Sequence, residues 1–143
     1  MPPVLRLMAG ATRFQDFVAW QLMYELSVRI WRATDGPSGA RDVRFRDQIR
    51  DASDSIHRNI AEGFGRYNPG DFARFLDIAR ASAEETRALL KKGRAVGYLT
   101  EQSFNELDRI AIRGFVAMAR LQRYLRSEEA KRNAKRIRNG GAR

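Results

Sequence analysis

The sequence predicts an all-α protein, an antiparallel up-and-down four-helix bundle, and three observations carry that prediction. Apolar residues recur at steps of three and four along four separate stretches, the spacing of one helix face and not of a strand. The turn clusters Thr34 to Gly39, Asn68 to Asp71 and Gly97 to Thr100 separate those stretches. At 143 residues the chain is one domain by size, and four helices of ordinary length occupy nearly all of it. Helices are therefore expected near residues 16–33, 41–62, 69–96 and 101–126. Residues 14–126 form the bundle. Residues 1–13 are read as a flexible arm and 127–143 as a basic tail, either a helix extension or disordered.

The first helix carries Phe17, Trp20, Met23, Tyr24, Leu26, Ile30 and Trp31. That arc is wider than the roughly 100° a single bundle buries, so Trp20, Tyr24 and Trp31 are candidates for contact with another subunit. The bland reading is that they cover the bundle edge. The second helix buries Phe45, Ile49, Ala52, Ile56 and Ile60, with Gly63 expected to end it. Its other face, with Asp47, Arg50, Asp51, Asp54 and Arg58, reads as solvated and paired one turn apart. His57, the sole histidine, falls among these charges and reads as a surface imidazole.

In the third helix Asn68 is the expected N-cap, Pro69 suits the first turn and Asp71 favours the helix dipole. Its buried line is Phe72, Phe75, Leu76, Ala79, Ala83, Thr86 and Leu90, with small Ala79, Ala81, Ser82 and Ala83 marking a close crossing. Gly97 is the expected C-terminal cap, and Thr100 the N-cap of the fourth helix. There Phe104, Leu107, Ala111, Gly114, Met118, Leu121 and Leu125 form an unbroken seam. Ile112, Phe115 and Val116 lie off the seam and are the second candidate subunit interface.

One string is distinctive. The residues Asn59-Ile60-Ala61-Glu62-Gly63-Phe64-Gly65-Arg66, with Gln48-Ile49, Ala52 and Ser55-Ile56 before them and Phe72, Phe75-Leu76, Ile78-Ala79, Ser82 and Glu85 after, resemble the four-helix-bundle proteins encoded by intervening sequences in bacterial 23S ribosomal RNA genes. The resemblance covers roughly residues 14–126, taking in Trp20, Leu26, Ile30 and Gly97 to Leu99. It departs from the family at Ala81, where glycine is usual, and in the long basic tail. The resemblance implies a ring-like homopentamer with no established enzymatic activity. Accessory proteins of diversity-generating retroelements are similar in fold and work beside a reverse transcriptase and nucleic acid. Within the signature, Ser82 and Glu85 are expected to face Asn59 and Glu62 in a buried structural network, with Arg66 as a donor to the carboxylates.

Composition narrows the function. The formal net charge is +10, so polyanions are attracted over about a Debye length, ~8 to 10 Å at physiological salt. Arg80, Arg87, Lys91 and Arg94 share one face of the third helix, and Arg109, Arg113, Arg120 and Arg123 one face of the fourth. The tail adds Lys131, Arg132, Lys135, Arg136, Arg138 and Arg143. These stripes point to RNA or DNA, with a protein scaffold or accessory subunit as the alternative. The chain has no cysteine, no phosphate-cradling glycine loop and no nucleophilic serine elbow. A metal site from Glu62 and Glu85 lacks the further carboxylates and histidine that bundle metal sites use. No enzyme activity, cofactor or metal is expected. No apolar run approaches the roughly 20 residues of a membrane span and the first ten residues do not read as a secretory signal, so a cytoplasmic setting is expected.

Overall fold

The structure, a computed structural model, describes residues 13–37, 42–66 and 68–140. After a 3-10 turn at Phe14–Asp16, five α-helices follow among the described residues: α1 Val18–Ala33, α2 Val43–Phe64, α3 Pro69–Ala95, α4 Glu101–Leu125 and α5 Glu128–Gly140. α1 packs against α2 and α4, α2 against α3, and α3 against α4, so the first four close into the expected all-α bundle. Apart from Arg13, the N-terminal arm lies outside the described residues, as does Arg143.

Each bundle helix buries the stripe its periodicity marks. Met23, Leu26 and Ile30 of α1, Ile49, Ile56 and Ile60 of α2, Leu76, Ala83 and Leu90 of α3, and Ala111, Met118 and Leu125 of α4 are at most 1% exposed. Burying such side chains contributes roughly 1.5–3 kcal/mol each, and this core sets the fold. The ends are capped by side chains. Asn68 Oδ1 accepts from the Gly70 amide at 2.7 Å, and Thr100 Oγ1 from the Ser103 amide at 3.0 Å. Gly97 takes φ +83°, the left-handed turn that ends α3. A cap that periodicity does not mark is Asp42, whose Oδ1 accepts from the Phe45 amide at 2.9 Å. Its Oδ2 accepts from Tyr98 Oη at 2.9 Å, tying the α3–α4 turn to the start of α2. The Phe45 amide first, then the Tyr98 hydroxyl, holds the Asp42 carboxyl below its ordinary value.

Gly63 does not end α2. The helix runs on to Phe64, and Gly65 closes it at φ −70° without left-handed geometry. Packing is the reason for Gly63: a Cβ there would come 2.8 Å from Phe72 Cδ1 and 2.9 Å from Phe75 Cβ. Gly114 plays the same part between α4 and α1, where a Cβ would sit 2.8 Å from Met23 Sδ. Of the small residues in α3, Ala79 and Ala83 are buried whereas Ala81 faces outward, so the substitution there does not affect the helix crossing.

The tail is neither a continuation of α4 nor without structure through Gly140. Arg126 and Ser127 turn the chain, Ser127 Oγ accepts from the Ala130 amide at 3.1 Å, and α5 begins as a separate helix packed on α3 and α4. No helix among the described residues is long and apolar enough to cross a membrane.

Candidate nucleic-acid interface

The two basic stripes differ in what their cations touch. On α3, Arg80 Nη1 donates to Gln122 Oε1 at 2.6 Å, and its guanidinium lies 4.8 Å over the Phe115 ring. Its Nε is buried and meets no acceptor among the described residues. Arg87 donates through Nε and Nη2 to the two oxygens of Asp108, at 2.8 and 3.4 Å. That carboxylate, outweighing the cost of burial, makes Arg87 harder to deprotonate. Arg94 reaches Glu101 at 3.4 Å and stacks 3.8 Å over Phe104. Lys91 alone of this stripe is exposed without a bond or ion pair among the described residues.

On α4, Arg109, Arg113, Arg120 and Arg123 are all exposed, and none has a hydrogen bond or ion pair among the described residues. At ~1.5 Å rise and ~100° per residue they form a ladder about 21 Å long within an arc of about 80°. Such a ladder presents its charge in one direction. Gln122, almost fully buried behind it, donates to Ala73 O at 2.9 Å and to Asp77 Oδ1 at 2.6 Å, clamping α4 to α3. Arg126 completes that clamp on Asp77 Oδ2 at 2.6 Å. The Gln122 amide and then Arg126 hold the Asp77 carboxyl below its ordinary value against a smaller opposing effect of burial.

In α5 the first turn is acidic, with Glu128 and Glu129, and Lys131 pairs with Glu128 at 3.3 Å. Ala130 is fully buried, and Asn133 hydrogen-bonds Tyr124, so the first half is anchored to the bundle. Arg132, Lys135, Arg136 and Arg138 are exposed and unpaired among the described residues.

The signature string is placed differently from expectation. Asn59 Nδ2 donates to Ser55 O at 2.8 Å and Ser55 Oγ at 3.1 Å, and Ser55 Oγ meets Ser82 Oγ at 2.9 Å. That chain links α2 to α3. Glu62 and Glu85 are not part of it: both are exposed, and Glu62 pairs at the surface with Arg66 Nη2 at 2.9 Å. Arg66 also lies 4.7 Å from the Phe75 ring centre. The helix faces explain the difference: at ~100° per residue Asn59 lies about 60° round α2 from the buried Ile56, at the edge of the core stripe, and Glu62 lies about 120° from it, beyond that edge. Among the described residues no three or more His, Cys, Asp or Glu are grouped to hold a metal ion.

The charged face of α2 is also less solvated than expected. Asp54 Oδ1 accepts from Ser27 Oγ and from Trp31 Nε1, the latter at 3.0 Å, so it joins α1 to α2. Arg50 donates to Thr34 Oγ1 at 2.9 Å and to Trp31 O at 3.2 Å, with its guanidinium 4.3 Å over the Trp31 ring. His57 is no surface imidazole: its side chain is 17% exposed, with Trp20 and Tyr24 edge-on at 6.4 and 5.5 Å. Burial, opposed by Asp54 and reinforced by Arg58, lowers its proton affinity below that of an ordinary imidazole. Ser27 of α1 and Thr34, the residue that ends it, are polar yet buried, and both belong to this clasp.

Of the residues suggested for assembly, Tyr24, Trp31, Ile112 and Val116 are 42–47% exposed. Trp20 is half-buried and stacked on Tyr24 at 4.8 Å, and Phe115 is half-buried beneath Arg80. Ile112 and Val116 lie on the same face of α4 as the arginine ladder.

The family model for the 23S rRNA-intervening sequence protein matches residues 15–115. The chain belongs to that family. A similar solved structure is a protein of unknown function from the S23 ribosomal protein family of Bacteroides thetaiotaomicron VPI-5482, at TM-score 0.66 and 21% identity. The match covers 77% of this chain and 100% of that one, and at this identity it shows the shared fold alone. No curated protein matches the chain. The family match ends within α4, so Arg120, Arg123 and all of α5 lie beyond it.

Proposed function

We propose that this member of the 23S rRNA-intervening sequence protein family is a non-enzymatic, self-associating bundle that binds nucleic acid through α4 and α5. The observation that carries the reading is the ladder Arg109, Arg113, Arg120 and Arg123, four exposed cations without partners among the described residues. Side chains free of intramolecular partners bind phosphate without first breaking a bond, whereas Arg80, Arg87 and Arg94 must break one. The α3 stripe is therefore withdrawn from the interface, apart from Lys91. The exposed rings of Tyr24 and Trp31 support self-association, which the family resemblance implies is a homopentamer, and the setting we propose for it is the cytoplasm.

Fluorescence anisotropy with labelled RNA and DNA, titrated with salt, tests the binding. Affinity that falls steeply and log-linearly with salt is expected, and its absence for both polymers overturns the reading. Light scattering that shows a monomer at micromolar concentration overturns the assembly. Ile112 and Val116, exposed between the ladder cations, favour a second reading as a protein scaffold or an accessory subunit, for instance of a reverse transcriptase. A protein partner recovered unchanged after nuclease treatment, with weak competition by free nucleic acid, supports that one instead.

A further inference from the structure

We propose that α5 lies in the major groove of duplex B-form DNA while the α4 ladder follows an adjacent phosphate strand. The proposal rests on the nucleic-acid reading above and names its substrate class. The contrast between the two cation sets carries it. Taking ~100° per residue, Arg138, Lys135, Arg132 and Arg136 spread over about 160° of the α5 circumference, twice the arc of the α4 ladder. A flat surface or a single strand reaches only one side of a helix. Cations spread over nearly half the circumference are met most fully where the partner rises on both sides, as the two walls of a groove do.

Size and anchoring agree. With side chains an α-helix is about 10–12 Å across, and the B-form major groove is about 12 Å wide. The A-form RNA major groove is too narrow and deep for side chains to read, so an RNA duplex does not offer the same seat. α5 is held to the bundle on its opposite side, by buried Ala130 and by Asn133 on Tyr124. Its second half then presents Lys135, Arg136, Arg138 and Asn139 exposed. The acidic first turn, with Glu128 and Glu129, keeps the start of the helix away from phosphate and places insertion at residues 132–139. With Asn133 turned to the bundle, the exposed Asn139 supplies a side chain able to donate to and accept from a base edge.

The full chain is tested by anisotropy at one salt concentration against a 20-base-pair DNA duplex, the RNA duplex of the same sequence, and a DNA duplex whose cytosines carry glucosyloxymethyl groups at C5. The sugars fill the major groove and leave the phosphates unchanged. Binding to the plain DNA duplex at least about tenfold tighter than to either of the others is expected, the size of losing several groove contacts together. Equal affinity for plain and glucosylated DNA, or a preference for the RNA duplex, overturns the groove assignment. Arg132→Gln with Arg136→Gln should abolish the discrimination while leaving weak salt-dependent binding by α4, and circular dichroism checks that the bundle is intact. Discrimination that survives in that variant also overturns the proposal. If the chain binds none of the three, the nucleic-acid reading itself has failed, an outcome distinct from binding without discrimination.

Discussion

Two helices of this bundle carry four basic residues each on one face, and by sequence the two stripes look alike. In α3 three of the four are engaged inside the molecule, on Gln122, Asp108 and Glu101; in α4 all four are free among the described residues. The difference comes from what lies across from each. The α3 stripe faces the α3–α4 seam, where α4 supplies an acceptor at 101, 108 and 122, seven and fourteen residues apart and so on one face. The α4 stripe faces away from the bundle. A run of arginines at helical spacing thus serves packing or binding according to the neighbouring helix, and only the fold distinguishes them.

The largest effect that can break this comparison is on binding. Replacing Arg109, Arg113, Arg120 and Arg123 by Gln should lower the slope of log affinity against log salt by about 3–4, at roughly 0.9 per lost phosphate contact. Thermal unfolding should be nearly unchanged. The matching change at Arg80, Arg87 and Arg94 should do the reverse. If the α3 variant loses the salt slope and the α4 variant keeps it, the assignment is inverted.

Stability gives the next largest effects. Arg80→Ala leaves the buried Gln122 Oε1 without its donor and uncovers Phe115, so a loss of about 1–3 kcal/mol is expected in urea unfolding. Arg87→Ala strands a half-buried Asp108, and its expected loss is smaller, about 1–2 kcal/mol, because both groups retain some water. Arg109→Ala, the control from the other stripe, should change stability by less than about 0.5 kcal/mol. A control loss as large as that at Arg80 would mean that the α4 cations have structural partners after all.

Periodicity was sufficient for the bundle because core burial is a property of one helix at a time. Phe45, Ile49, Ile56 and Ile60 mark their face whatever packs on it, and the caps at Asn68 and Thr100 depend on residues within one turn. What was not legible depends on the second helix. The Asp42 cap could be seen locally, but its bond to Tyr98 spans the fold. Gly63 carries the residue type of a terminator yet is needed for its contact with Phe72 and Phe75. Asp54 and Arg50 read as solvated until Ser27 and Trp31 of α1, and Thr34 at its end, are placed beside them. Glu62 and Glu85 failed for a simpler reason: Asn59 and Ser82 already stand at the edge of their buried stripes, and three residues further on each carboxylate lies about 60° beyond that edge.

The smallest effect tests the same contrast between engaged and free groups at a titrating residue. His57 is the sole histidine, half-buried between Trp20, Tyr24 and Asp54, with its proton affinity lowered chiefly by burial. The unfolded chain titrates near the ordinary value of 6.5, and the folded chain below it. As pH falls through that interval the unfolded state binds the proton more readily, so the stabilising contribution, fully present above 6.5, is lost on acidification. Asp42 and Asp77 change protonation only nearer and below the ordinary carboxylate value of 3.8, which leaves the interval between about pH 7 and 5.5 to His57. A small, reproducible fall in Tm is expected across that interval. His57→Phe, which keeps an aromatic ring against Trp20 and Tyr24, should make the Tm flat there while leaving nucleic-acid affinity unchanged, because the imidazole belongs to the α1–α2 clasp and not to the α4 face. A Tm that rises on acidification in the parent chain would mean that the Asp54 carboxylate outweighs burial and that His57 is charged in the fold.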